Sequence, residues 1–171
     1  MLPLHHARAP TYRAAVMTEL TPDSAEATER IETATWLFDA HDTVAIAGCD
    51  GGEPWIVRAF FVEDEPRGGS LDICVSLLIG AERRAALASY PRVAFIVAGE
   101  VPDRWVNGIG TAEAVDDDAD AEAILKRLAE KAPASEPFLS GADTTAIRVH
   151  VERLKVTDLG ADPPVTEFTF A

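Results

Sequence analysis

The chain has 171 residues, a length that suits one domain with a real hydrophobic core. Hydrophobic residues make up 47%, a folding composition rather than a disordered one, and no apolar run approaches the roughly 20 residues of a membrane helix. A net charge of −14 repels phosphate backbones and anionic lipid at long range, which argues against nucleic acid and membranes as partners.

The opening MLPLHHARAP has no apolar h-region and no small-residue cleavage site, so it does not read as a secretory signal. Residues 1–20 are expected to be an irregular extension, because Pro3 and Pro10 break helices. Thr21, Pro22, Asp23 and Glu26 form a helix-start signal. Ala27, Ile31, Ala34 and Phe38 follow at helical spacing, and the helix is expected to end near His41.

The period then changes. Thr43–Cys49 reads as a strand, Asp50-Gly51-Gly52 as a hairpin turn, and Pro54–Glu63 as the returning strand. Both faces of PWIVRAFFV are apolar, so one side is expected on the core and the other under a ligand or a partner. Asp64–Gly69 is a loop and Leu71–Leu77 the next strand. Gly80–Tyr90 is a short helix, with Ala81, Ala85 and Ala88 as its expected contact face, and Pro91 ends it.

Arg92–Ala98 and Asp103–Val115 are strands, and Gly108 and Gly110 within the second mark a bulge or a close approach. Asp116, Asp117 and Asp118 read as a turn and helix start, followed by the apolar stripe Ala121, Ile124, Leu125 and Leu128. Pro133 and Pro137 interrupt the stretch after this helix. Thr144–Val156 is a long last strand with Ile147, Val149 and Val151 on one face. Residues 161–171 read as a Pro-rich tail docked by Phe168 and Phe170. No strand–helix–strand alternation runs through this order. It predicts an α+β domain over residues 21–160: a six-stranded, mainly antiparallel barrel with peripheral helices.

Nucleotide-loop, zinc-protease and serine-hydrolase signatures are missing from the sequence. Cys49 and Cys74 lie in apolar runs and read as small core residues in a reducing compartment, the cytoplasm. His5 and His6 read as a solvated end. What stands out is a set of cations and rings. Arg58 sits within an apolar strand, where it needs either an anion or an ion pair with Glu53, Glu63 or Glu113. Arg83 and Arg84, near a helix start, form either a phosphate cradle or a solvated face. Trp105 is either a stacking surface or part of a core or dimer interface.

Four segments resemble the pyridoxamine 5'-phosphate oxidase-like, FMN-binding split-barrel family. They are CDGGEPWIVRAFFVED, AERRAALASYPRVAFIV, DRWVNGIGTAEAVDD and RVHVERLKVTDL, and they lie in the family's order within roughly residues 35–159. The resemblance implies a homodimer with flavin at the subunit interface. It implies Arg58, Phe60, Ser76, Arg83, Arg84 and Trp105 as candidate cofactor-binding residues, and hydride chemistry on an unknown small molecule, with a nicotinamide as a possible electron donor.

No catalytic side chain is singled out. Two departures from the family pattern stand out: Glu82 lies where the signature has arginine, and Glu63 where the oxidase has a lysine. A one-residue shift would instead place Arg83 and Arg84 on the arginine–lysine pair. The oxidase's C-terminal arginine-x-histidine substrate motif has no counterpart, which makes vitamin B6 oxidation improbable. Relatives of the barrel bind deazaflavin or haem, and His150 is the candidate haem ligand. A redox-inactive barrel that binds a small molecule or a partner protein is the remaining alternative.

Overall fold

The computed structural model describes residues 17–19, 25–64, 70–99, 103–141 and 143–170. The elements in chain order are β1 (Met17–Glu19), α1 (Ala25–Ala40), β2 (Thr43–Asp50), β3 (Glu53–Asp64), β4 (Asp72–Leu78) and α2 (Ala81–Ser89). Then come β5 (Arg92–Ala98), β6 (Arg104–Ala114), α3 (Asp118–Lys131), a 3-10 helix (Pro133–Phe138), β7 (Thr144–Asp158) and β8 (Val165–Thr169). The expected N-cap at Thr21 and the loop at 65–69 lie outside the described residues.

Six antiparallel strands close a barrel in the order β2-β3-β4-β7-β6-β5, with β5 returning to β2. This is the predicted split-barrel class. The β2–β3 hairpin pairs Asp50 with Glu53 across Gly51 and Gly52. Both glycines have positive φ, 57° and 105°, as a two-residue turn matched to strand twist requires.

Alternate side chains point inward: Val44 and Ile46 from β2, Val93, Phe95 and Val97 from β5, Ile147 and Val149 from β7. Phe38 of α1 meets Phe61 edge to face at 5.9 Å, and α1 also buries Ala34 and Leu37 in this core. A smaller apolar cluster lies outside the barrel, where Ile124 and Leu128 of α3 cover Val62, Cys74 and Ala146. Asp117 caps α3 by accepting from the Asp120 amide at 2.9 Å.

Two expectations are corrected. Ala81, Ala85 and Ala88 of α2 are exposed, and the helix docks through buried Leu87 and half-buried Ala86. One leucine gives it about 1.5–3 kcal/mol of anchorage, where three alanines would give little. The segment read as a tail forms β8, which pairs with β7 from Val165↔Thr157 to Thr169↔Arg153 and with β1 in parallel. Phe168 is its anchor, 1% exposed.

The β6–β7 register shifts at Ile109/Gly110, where Ile109 faces Arg153 and Gly110 faces Val151. Glu152 is the extra residue, so inward alternation passes from Ile147, Val149 and Val151 to Leu154 and Val156. A Cβ on Gly110 would lie 2.1 Å from the His150 carbonyl oxygen, which leaves no room for a side chain. Gly110→Ala should therefore lower stability by roughly 1–3 kcal/mol, read as a drop in the urea midpoint.

Candidate functional site

β3 and β4 pair over only four residue pairs, from Phe61↔Val75 to Asp64↔Asp72. Before Phe61, β3 continues along β2, from Thr43↔Phe60 to Asp50↔Glu53. After Val75, β4 continues along β7, from Ser76↔Ala146 to Leu78↔Thr144. The two strands follow different neighbours and part. A cavity of about 560 Å³ occupies the parting, a size normal for a small-molecule site. Arg58, Phe60, Ser76, Leu78, Arg83 and Phe138 are among the residues that line it.

Four of the six candidate residues thus share one cavity: Arg58 and Phe60 from β3, Ser76 from β4, and Arg83 from α2. Their placement follows from the local fold. Arg58 is on the outward parity of β3, opposite Ala45. Its Nε and Nη2 donate to Thr43 Oγ1 at 3.0 and 2.9 Å. Arg83 lies in the first turn of α2, whose N-cap Gly80 offers no side-chain acceptor to the first amides.

The other two go elsewhere. Arg84 is paired with Asp116 at 2.7 Å and does not line the cavity. Trp105 pairs with Ala98 on the outer face of the barrel, half-buried, and does not line the cavity.

The ion-pair alternatives for Arg58 are not what the structure shows. Among the described residues no carboxylate lies within 4.0 Å of its guanidinium. Glu63 instead binds Lys131 Nζ at 2.8 Å, and Glu113 faces His150 Nε2 at 3.2 Å. The glutamate at 63 therefore turns toward α3, where Arg127 also pairs with Asp64 and Arg148 reaches Asp120 at 3.0 Å. Glu82 is exposed on α2 and lies outside the cavity lining. Asp50 and Glu53 do line it, from the hairpin end. The lining thus includes two arginines and two acidic residues, on a chain whose net charge is −14.

Cys74 is buried beneath α3, and burial together with the nearby charge of Asp64 pushes its thiol up to about 12. It behaves as a packing residue, not a nucleophile. His150 has Asp72 at 2.8 Å on Nδ1 and Glu113 at 3.2 Å on Nε2. Both ring nitrogens are occupied, so it is poorly placed to bind haem iron.

Sequence reasoning missed two aromatic walls, Trp55 and Phe138. Trp55 lies across Gly48, its register partner, and a Cβ there would sit 2.4 Å from the indole. That contact was findable by counting back from the hairpin turn. Phe138 follows two prolines and belongs to no periodic pattern.

No family model and no curated protein matches the chain. Solved structures do share its fold. One is a protein related to general stress protein 26, of the pyridoxinephosphate oxidase family, from Clostridium acetobutylicum. It is 14% identical with a TM-score of 0.62, over 83% of this chain and 94% of that one. A haem-binding protein from Mycobacterium smegmatis is 20% identical with a TM-score of 0.60, over 82% of this chain but 57% of its own. An FAD-binding protein from Mesorhizobium loti is 16% identical with a TM-score of 0.53, over 72% of this chain and 90% of its own.

The His150 pair makes a pH prediction. Burial disfavours its charge, but the hydrogen bonds and charges of Asp72 and Glu113 outweigh this and raise its pKa above 6.5. A raised pKa contributes stability in full below the unfolded value and loses it as pH climbs through the folded value. His150→Gln should therefore be less stable than the parent at about pH 5.5, with the gap narrowing as pH rises, in urea titrations across that range.

Proposed function

We propose that this chain is a flavin-binding redox protein that holds FMN in the β3–β4 cavity, at a site completed by a second copy of itself. One observation carries the reading: Arg58 and Arg83 both line a mostly apolar cavity opened by the split of a barrel whose structural neighbours include a member of the pyridoxinephosphate oxidase family and an FAD-binding protein.

The residues suit the group. Arg83 and the first amides of α2 would take the phosphate, since a helix start offers unpaired N–H groups and positive potential. Arg58, oriented by Thr43, would supply a second cation. The unpaired edge of β3 before Phe61 offers backbone donors and acceptors to a heterocycle. Phe60 and Leu77 give the ring an apolar bed that excludes water. When bound, the flavin supplies hydride transfer to or from a small molecule, and NADH and NADPH are the first electron donors to try.

The second copy is argued from an uncovered sheet face. In register across four strands run Ile56, Ala47, Ala94 and Ile109, and beside them Arg58, Ala45, Ile96 and Asn107. Ile56 is 71% exposed and Ile96 40%. A β-face this apolar is normally covered. Arg58 belongs both to this face and to the cavity, so the two surfaces adjoin. Trp105, on the same outer wall, would reach a flavin only across the interface. Cys49 and Cys74 are free thiols, and we place the protein in the reducing cytoplasm. Among the described residues no helix is long and apolar enough to cross a membrane.

Titrating the purified protein with FMN should produce a perturbed flavin spectrum and saturable binding. Arg83→Gln should weaken that binding roughly 10- to 100-fold, the value of one charge-assisted hydrogen bond. A protein that leaves the flavin spectrum untouched would end this reading. Separately, light scattering should give a dimer, and Ile56→Lys with Ile96→Glu should give a folded monomer. A parent protein that is already monomeric at micromolar concentration would rule out the shared site.

A further inference from the structure

Resting on the flavin reading above, we infer that Phe138 is a specificity-determining residue: it forms the solvent-side wall against which the planar ring of the ligand lies.

Phe138 closes the 3-10 helix Pro133–Phe138, between α3 and β7. Its side chain is 51% exposed, and it lines the cavity together with Leu78, itself 57% exposed. An exposed phenylalanine on a flexible loop would mean little. This one is held in place. Pro133 and Pro137 stiffen the segment, and the buried Ser135 hydroxyl donates to the Leu128 carbonyl at 3.3 Å. The Leu139 amide donates to the Glu136 carbonyl at 3.2 Å.

On the C-terminal side, Thr144 Oγ1 donates to the Phe138 carbonyl at 3.1 Å and accepts from the Gly141 amide at 3.1 Å. The backbone that carries the ring is thus fixed at both ends, while half of the ring faces outward. Among the described residues its aromatic neighbour is Phe60, with centroids 6.2 Å apart and planes tilted by 35°. Phe60 in turn packs against the cluster under α3. Phe138 therefore extends an aromatic surface from that cluster over the mouth of the cavity.

The chemistry that such a surface selects is a flat, apolar ring system. Ring-on-ring contact gains dispersion and quadrupole energy that an aliphatic or polyol ligand cannot collect. The cavity's cations act on the opposite feature, an anionic group. The division of labour gives two separable readouts. Arg83 answers to the phosphate, and Phe138 answers to the ring.

The test measures FMN and riboflavin affinity by fluorescence titration for the parent, Phe138→Ala, Phe138→Tyr and Arg83→Gln. Because Phe138 is half-exposed, Phe138→Ala should keep the parent's thermal midpoint. It should weaken FMN and riboflavin alike, by about three- to tenfold, and Phe138→Tyr should restore both. Arg83→Gln should weaken FMN while sparing riboflavin. If Phe138→Ala binds both flavins as the parent does, or loses FMN alone, the ring assignment is overturned and the flavin site stands. If the parent binds neither flavin, the flavin reading fails and takes the ring assignment with it.

Discussion

The structure depends on where one β-ladder stops. β3 and β4 are joined from Phe61↔Val75 to Asp64↔Asp72 and no further. A barrel strand normally satisfies its backbone on both edges, and a buried N–H or C=O left without a partner costs about 1–3 kcal/mol. The parting therefore has to be occupied, by water or by a ligand that offers donors and acceptors of its own. Every residue of the candidate site is placed by this gap. Arg58 and Phe60 sit on the strand that leaves to follow β2, and Ser76 sits on the one that leaves to follow β7. Arg83 opens the helix that begins three residues after β4 ends.

Much of the barrel was legible in the sequence, because burial on one face imposes a period of two and the turns carry their own chemistry. The Asp50-Gly51-Gly52 turn fixed a hairpin that in turn fixed the register of Arg58 against Ala45. Gly110 announced the bulge, although only the structure shows that Glu152 on the opposite strand is the residue it displaces. The contact face of α2 was misread because alanines at helical spacing look like a seam, whereas burial followed the one large side chain, Leu87. β8 was missed because it is short, follows prolines, and alternates Thr166 and Phe168 inward with Glu167 outward, a weak pattern over five residues.

Of the six residues read as a site, those on strands flanking the gap converged, since strand parity dictates direction. Arg83 and Arg84 could not be separated by sequence, because neighbours on a helix point about 100° apart and either one can face the sheet. The geometry separates them: Asp116 takes Arg84, and Arg83 keeps the cavity. The acids that seemed to spoil an anion site are likewise sorted by direction. Glu63 is drawn to Lys131 beneath α3, and a charge turned to the far side of a strand with its own counter-ion has little effect on the cavity.

Arg58 links the two surfaces that the proposed function requires. Its hydrogen bonds to Thr43 fix its direction without neutralising it. A second copy laid over the row Arg58–Ala45–Ile96–Asn107 would take this guanidinium out of water, and a desolvated cation without an anion opposes association. In the proposed dimer an anion in the cavity would remove that penalty, so ligand binding and pairing of the subunits would favour each other through one side chain. The coupling is reciprocal by linkage: whatever free energy the anion adds to dimerisation, dimerisation adds to the affinity for the anion. Under the proposed function, an acidic chain that keeps Arg58 between half-buried Ala45 and exposed Ile56 would make its interface conditional on what the cavity holds.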